Sequence, residues 1–365
     1  MSKARELAEL GAAYDSGALS NRNVIINGAM QVAQRSTSET AVGGNSGYYV
    51  PDRWRIATNT SGRVTMSQDS DSPQGFANST KLACTTADTS IASSELFIFQ
   101  QRIEGQNVQQ FAKGTSGAKP ITVSFYVKGN AAATYTAELE DSDNSRYNSQ
   151  EFSVTTDWTR VTKTFVADTT GTLDDDNAVS FRLNIWLHAG STYTGGTHTD
   201  NVWHTTDNQR VGDNQTSIFD STSRTFFITG VQIEVGDTAT DFEHRSFGDE
   251  LARCQRYFLR SYDYGTATGT ATSVGAQAST AAVSQTYASA GTYTFPCEMR
   301  ATPTVTLYST ANASTTGKVS ADGTDGTGSA SFVSTNSVFI LRSNDSGGVA
   351  ANVIMKAQLT ADAEL

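Results

Sequence analysis

The chain has 365 residues, 17% of them charged, and a formal net charge of −11. That length holds two domains with cores of their own, and the acidic balance argues against nucleic acid or an anionic membrane surface as a partner. No apolar run approaches membrane-span length, so no membrane insertion is expected. Residues 1–15 lack the apolar stretch of a secretory signal, which points to folding in a cytoplasm. Cys84, Cys254 and Cys297 are an odd number at wide spacing. They fit buried free thiols better than a disulfide framework or a zinc signature.

In chain order, residues 1–20 form a short arm. Leu7, Leu10 and Tyr14 fall at helical spacing there, with Ala4 and Ala8 beside them. So short a helix is marginal alone in water, so its order has to come from docking. Residues 21–245 read as a β-sandwich. Leu96 to Ile103, Ile121 to Val127, Val161 to Phe165 and Val179 to Leu187 alternate apolar and polar positions. Glycine-rich or acidic turns at 128–130, 141–145 and 169–177 separate them. Short, half-buried antiparallel strands of this kind predict the two packed sheets of a jelly roll. Trp54 is expected in its core, with Arg53 and Arg55 facing out.

The hydrophobic period then changes. Phe227, Val231, Ile233 and Val235 alternate as one buried face of a strand. Gly236 and Asp237 break it, and Ser246 with Asp249 has capping-box spacing. Phe247, Leu251, Cys254 and Phe258 then share one stripe of a predicted connector helix over 246–262. Residues 263–290 are low in complexity, a linker or thin strands. Residues 291–365 return to strands around Val305 and Leu307, Val338 and Ile340, and Met355, Ala357 and Leu359, with long polar turns at 309–317, 320–329 and 343–348. A domain this small is short of core, and association with further copies would supply it. Leu251, Cys254 and Phe258 are the expected contact.

Several clusters invite chemistry. Residues 188–215 gather His188, Tyr193, His198, Asp200, Trp203 and His204. Long loops of this kind serve function or disorder. The spacing completes no metal-ligand set, so no metal and no cofactor is assigned. Tyr193, His198, Trp203 and His204 are retained as glycan or receptor contacts beside the reading of a packed structural loop, and Tyr308 is a stacking face near the distal turns. Asp174, Asp175 and Asp176 read as a solvated turn rather than a calcium site. Glu138 and Glu140 share a strand face, but nothing gives them the unequal acidities a glycosidase requires. Phosphate-binding loops, nucleophile elbows and zinc-protease motifs are absent. No catalytic residue is assigned.

Four runs carry a resemblance. Residues 21–34 (NRNVIINGAMQVAQ) with PDRW at 51–54, residues 228–246 (ITGVQIEVG through FEHRS) with ELARCQRY at 250–257, FPCEMRATP at 295–303, and ADAEL at 361–365 are similar to tail-fibre and receptor-binding proteins of tailed bacteriophages. The first domain also resembles the jelly roll of carbohydrate-binding modules, a likeness of fold more than of activity. The resemblance implies a virion protein assembled in a host cytoplasm and not an enzyme. It implies a homotrimer that docks to the tail or an adaptor through its arm and contacts a bacterial surface glycan or protein. Trp203 looks like part of the common pattern. The rival readings are a glycan-depolymerising tailspike, a capsid decoration protein and a free carbohydrate-binding protein.

Overall fold

The computed structural model describes residue 3 and residues 21–281, 287–343 and 349–365. The expected arm and most of the 343–348 turn therefore lie outside the described residues. The fold is all-β and divides into two compact units. The first comprises residues 1–31, 38–246 and 365, and the second residues 32–37 and 247–364.

The first unit is a jelly-roll sandwich. One sheet contains β1 (Ser38–Val42), β4 (Arg63–Asp69), β5 (Ser79–Thr86), β12 (Thr225–Val235), β7 (Ile121–Gly129) and β10 (Thr159–Phe165), in that spatial order. The other contains β2 (Gly47–Tyr48), β3 (Arg55–Asn59), β6 (Leu96–Glu104), β11 (Val179–Ala189), β8 (Ala133–Asp141) and β9 (Arg146–Val154). Every pairing is antiparallel. The chain crosses repeatedly between the sheets, and the inward residues of both interdigitate as one core. Phe97, Phe99, Phe125, Phe165, Phe181 and Ile185 are fully buried in it. Trp54 stacks on Phe99 with ring centroids 4.4 Å apart. Arg53 corrects an expectation: it is 1% exposed, and its Nη2 donates to the Arg102 carbonyl at 2.7 Å. Asp174, Asp175 and Asp176 are exposed, as a solvated turn requires.

The N-terminal run is bonded to both sheets. Asn23 Oδ1 accepts from the Ile25 and Ile233 amides, and Val24 N–H donates to the Ile233 carbonyl. Ile26 exchanges two 2.8 Å bonds with the Gln101 side chain of β6. Glu243 accepts from the amides of Asn21 and Asn23, and Arg245 donates to the carbonyls of Asn23 and Ile25. Gly28 is required here, because a Cβ would sit 2.2 Å from the Val231 carbonyl oxygen.

β12 departs from simple alternation. Its register shifts between Thr229 and Gln232, at Gly230 with φ +62°. This β-bulge changes the parity. Phe226 and Ile228 face the core before it, Val231 and Ile233 after it. Phe227, expected on the same face as Val231, instead lies on the outer side beneath Lys81 and Lys128 and beside Trp158. Val235 is 38% exposed.

Beyond residues 32–37, the second unit runs from α2 (Phe247–Gln255; α1 is the single turn Ser191–Thr194). The helix is shorter than expected, because Phe258 already starts β13 (Phe258–Arg260). Cys254 is fully buried and Phe258 6% exposed in the single chain, so two of the three expected trimer contacts are spent within it. The remaining strands are β14 (Gln277–Thr280), β15 (Ala288–Thr294), β16 (Thr304–Tyr308), β17 (Lys318–Ala321), β18 (Thr324–Ser331), β19 (Ser337–Arg342) and β20 (Ile354–Asp362). β20 is the hub: β13 and β16 pair with its second half, β14 and β17 with its first. Residues 320–329, expected as a long turn, are a hairpin instead. Asp322 and Gly323 hold φ of +44° and +80°, the two-residue type I′ pattern that matches strand twist. Small polar residues on both faces hid these strands. A second core of Leu259, Leu307, Val338, Ile340, Met355 and Leu359 lies under this sheet.

Replacing Gly230 tests the bulge. A Cβ there would meet the Phe76 ring at 2.7 Å and the Tyr126 ring at 2.9 Å, in a left-handed backbone. Gly230→Ala is expected to lower unfolding stability by about 1–3 kcal/mol, read as a shift in the denaturant midpoint of the full chain.

Candidate functional site

Two surfaces present chemistry. The first is the outer face of the β2–β3–β6–β11–β8–β9 sheet, where alternate residues of adjacent strands place Gln100, Glu138, Glu140, Asn184 and Trp186 side by side. Residues 190–217 lie across part of it. Gly212 N–H donates to Thr136 Oγ1, Thr216 N–H to the Thr134 carbonyl, and Gln215 Nε2 to the Trp186 carbonyl. Val211 and Tyr193 pack on Trp186 and Ile98. Arg210 is the centre of this loop. Its Nε and Nη2 donate to both oxygens of Glu138 at 2.9 and 2.7 Å, and Nη2 also to Glu140 at 3.0 Å. The guanidinium lies 3.8 Å over the Tyr147 ring. Burial alone would weaken the Arg210 charge, but Glu138 and then Glu140 raise its pKa. Asn184 Nδ2 bridges the two carboxylates at 2.7 Å each, and Gln100 Nε2 donates to Asn184 Oδ1. Gln100 Oε1 in turn accepts from Arg55 and Arg102. Burial, reinforced by neighbouring Arg55, pushes Arg102 down to about 10.

The loop residues retained from the sequence have the geometry of a packed segment. The Tyr193 ring sits 5.0 Å from Trp186. His198 uses Nδ1 on the Gln209 carbonyl and Nε2 on Asp200. Trp203 Nε1 donates to the Val166 carbonyl, and Lys113 Nζ lies 5.0 Å from its ring centre. His204 accepts from the Thr206 amide through Nδ1 and pairs backbone to backbone with Tyr147. All four side chains are half-buried, and each is engaged within the loop or by the sheet beneath it. Beneath Trp203, Lys113 is 2% exposed and bonds Asp141, Asp168 and the carbonyls of Thr170 and Gly171. Burial works against the Asp168 charge, but Arg146, the Thr170 amide and Lys113 outweigh it and hold the carboxyl below its ordinary range.

The second surface is a groove of about 590 Å³ in the second unit. It follows from strand alternation. Val305, Leu307, Leu359 and Ala361 point into the core. Thr304, Thr306, Tyr308, Thr360 and Asp362 therefore point outward and line the groove with Phe258 and Thr268. Register places Thr304 opposite Asp362 and Thr306 opposite Thr360. Arg35 spans one end, 3.8 Å over the Phe258 ring, bonding Asp362 at 3.0 Å and Glu364 at 3.3 Å. Thr268 Oγ1 is buried without a hydrogen-bond partner among the described residues. The groove thus combines threonine hydroxyls, a carboxylate–guanidinium pair and an aromatic wall at Tyr308. Of these residues, Tyr308 was expected as a glycan contact and Phe258 as a contact between copies; the others were not singled out. The outward alternation in VTLY and QLTAD was the available signal, but the two runs meet only once their register is known.

No protein-family model and no curated protein matches the chain. Solved structures do. CBM4 is 16% identical over 57% of this chain and 97% of its own, with a TM-score of 0.30. The family 11 carbohydrate-binding module from Clostridium thermocellum, in complex with a β-1,3-1,4-mixed-linked tetrasaccharide, is 12% identical over 57% and 98%, with a TM-score of 0.28. The enzymatically active domain of bacteriophage CBA120 tailspike protein 4 is 10% identical over 59% of this chain and 21% of its own, at 0.28. The jelly-roll description stands on the strand orders given above.

Removing the Arg210 guanidinium leaves Glu138 buried without its cation. Arg210→Leu is expected to cost about 3–5 kcal/mol in chemical unfolding, whereas Arg210→Leu with Glu138→Leu recovers much of the loss. Acid sensitivity follows from Asp168. A carboxyl depressed in the folded state contributes fully above the unfolded value of about 3.9 and loses that contribution as pH falls through its folded value. Wild-type stability is therefore expected to decline below about pH 4. Asp168→Asn should start from a lower plateau and show a shallower decline, by up to ~1.4 kcal/mol per pH unit, in denaturant titrations across pH.

Proposed function

We propose that this chain is an adhesive subunit of a bacteriophage tail fibre that recognises a bacterial surface glycan without cleaving it, and that the Tyr308 groove is the contact. One observation carries the assignment of the site: threonine hydroxyls, the Arg35–Asp362–Glu364 cluster and an aromatic wall converge in a single concavity. Sugar recognition uses this combination, with paired polar groups for hydroxyls and a ring for the C–H face. The groove carries two carboxylates against one guanidinium, which favours a neutral or amino sugar over an acidic one. The tail-fibre resemblance of the runs at 21–34, 228–257, 295–303 and 361–365 supports the class, and with it a homotrimer attached to the tail or an adaptor through residues 1–20.

A non-catalytic role is supported by the fate of the one carboxylate pair singled out in the sequence. Glu138 and Glu140 share Arg210 and Asn184. Although burial raises the Glu138 pKa, both carboxylates are committed to these partners, which is the setting of a structural ion pair.

Glycan-array screening of the full chain, followed by calorimetry with the best ligand, tests the reading. Tyr308→Ala and Asp362→Asn are each expected to weaken binding at least about tenfold, the scale of losing one buried hydrogen bond or stacking contact. Tyr193→Phe should bind as wild type. Wild-type affinity in both groove variants, with loss in the Tyr193 variant, would move the site to the jelly roll. Release of reducing ends from the bound glycan would make the chain an enzyme.

A further inference from the structure

Asp88, Glu95 and His188 meet at one end of the jelly roll. Asp88 follows β5, Glu95 immediately precedes β6, and His188 lies near the end of β11. One donor atom from each lies within 4.8 Å of the others. His188 is fully buried, and its Nε2 makes no hydrogen bond among the described residues. Glu95 Oε2 lies 3.5 Å from it. That is long for a hydrogen bond. It matches the ~3.4 Å that separates two ligands on a tetrahedral zinc with bonds of about 2.1 Å.

The surroundings orient all three groups. Asp88 Oδ2 accepts from Thr60 Oγ1, Ser61 Oγ and the Ser61 amide, which fixes the carboxylate beside the cluster. Glu95 Oε2 accepts from the Ala92 amide. His188 Nδ1 lies 2.7 Å from Ser217 Oγ, and the Phe219 ring closes edge-on at 5.3 Å. An outer partner on the second ring nitrogen is the usual companion of a metal-bound imidazole.

We infer that Asp88, Glu95 and His188 bind one divalent transition metal, with zinc the best fit to one imidazole and two carboxylates. The donor set is harder than a thiolate site and softer than the all-oxygen shell calcium takes. The metal would tie the β5–β6 connection to β11, and water would complete its coordination. Its role is a structural clip, independent of which glycan the chain recognises.

The test uses the full chain stripped with chelator, then titrated with zinc chloride by calorimetry and followed by thermal unfolding. One zinc per chain with micromolar or tighter affinity and a raised Tm is expected, with calcium chloride giving neither. Glu95→Gln and Asp88→Asn keep the surrounding hydrogen-bond acceptors, so they are expected to fold and to weaken zinc binding at least about tenfold. His198→Ala, which disturbs the other His–carboxylate pair, should leave zinc binding unchanged. Absence of saturable zinc binding by wild type overturns the inference. So does binding that survives both carboxylate variants or disappears in His198→Ala.

Discussion

The jelly roll depends on how its N-terminal run is held. Residues 21–28 form no strand, so their amides and carbonyls cannot be satisfied by a ladder, and leaving them buried and unpaired would cost on the order of 1–3 kcal/mol each. Side chains fill the gap. Asn23 imitates a strand neighbour of β12, Gln101 does the same from the opposite sheet, and Glu243 and Arg245 secure the outside. The backbone of this run is thus bonded to both sheets at once. Gln232 and Glu234 extend the network to the segment after β12, where Glu234 accepts from the Thr240 amide and hydroxyl and Gln232 Oε1 accepts from the Glu243 amide. Runs separated by some 200 residues are therefore one structural joint.

The second unit repeats the device. Arg300 lies between the helix end and the last strand: its amide donates to the Arg256 carbonyl and its Nε to the Ala363 carbonyl, while the Ala363 amide donates to the Tyr257 carbonyl. The runs that are recognisable in the sequence are thus largely those that satisfy backbone groups outside the sheets. They specify how the scaffold closes. They do not specify what its grooves bind.

Legibility followed the same division. β6, β7 and β11 were visible because a half-buried strand has to alternate, and Trp54 in the core followed from its size. The parity change in β12 was signalled by Gly230, but only to a reader willing to place a bulge in a strand that otherwise alternates well. The β17–β18 hairpin escaped because small polar residues give no period, although Asp322–Gly323 is a hairpin turn on its own terms. The loop at 188–215 was ambiguous for a physical reason. Histidine, tyrosine and tryptophan serve equally well to pack over a sheet as to grip a ligand, and what decides is Arg210, whose partners Glu138 and Glu140 lie some 70 residues away. The groove and the Asp88–Glu95–His188 cluster were hidden for the same cause: each is assembled by pairing between distant strands.

The position of β20 has a consequence for how the protein is made. Four strands bond to it, and it is the last strand of its unit to leave the ribosome. Until it emerges, β13, β14, β16 and β17 hold unpaired edges, a state open to aggregation and proteolysis. A chain that lacks residues 354–362 therefore leaves four strands at once without a common partner.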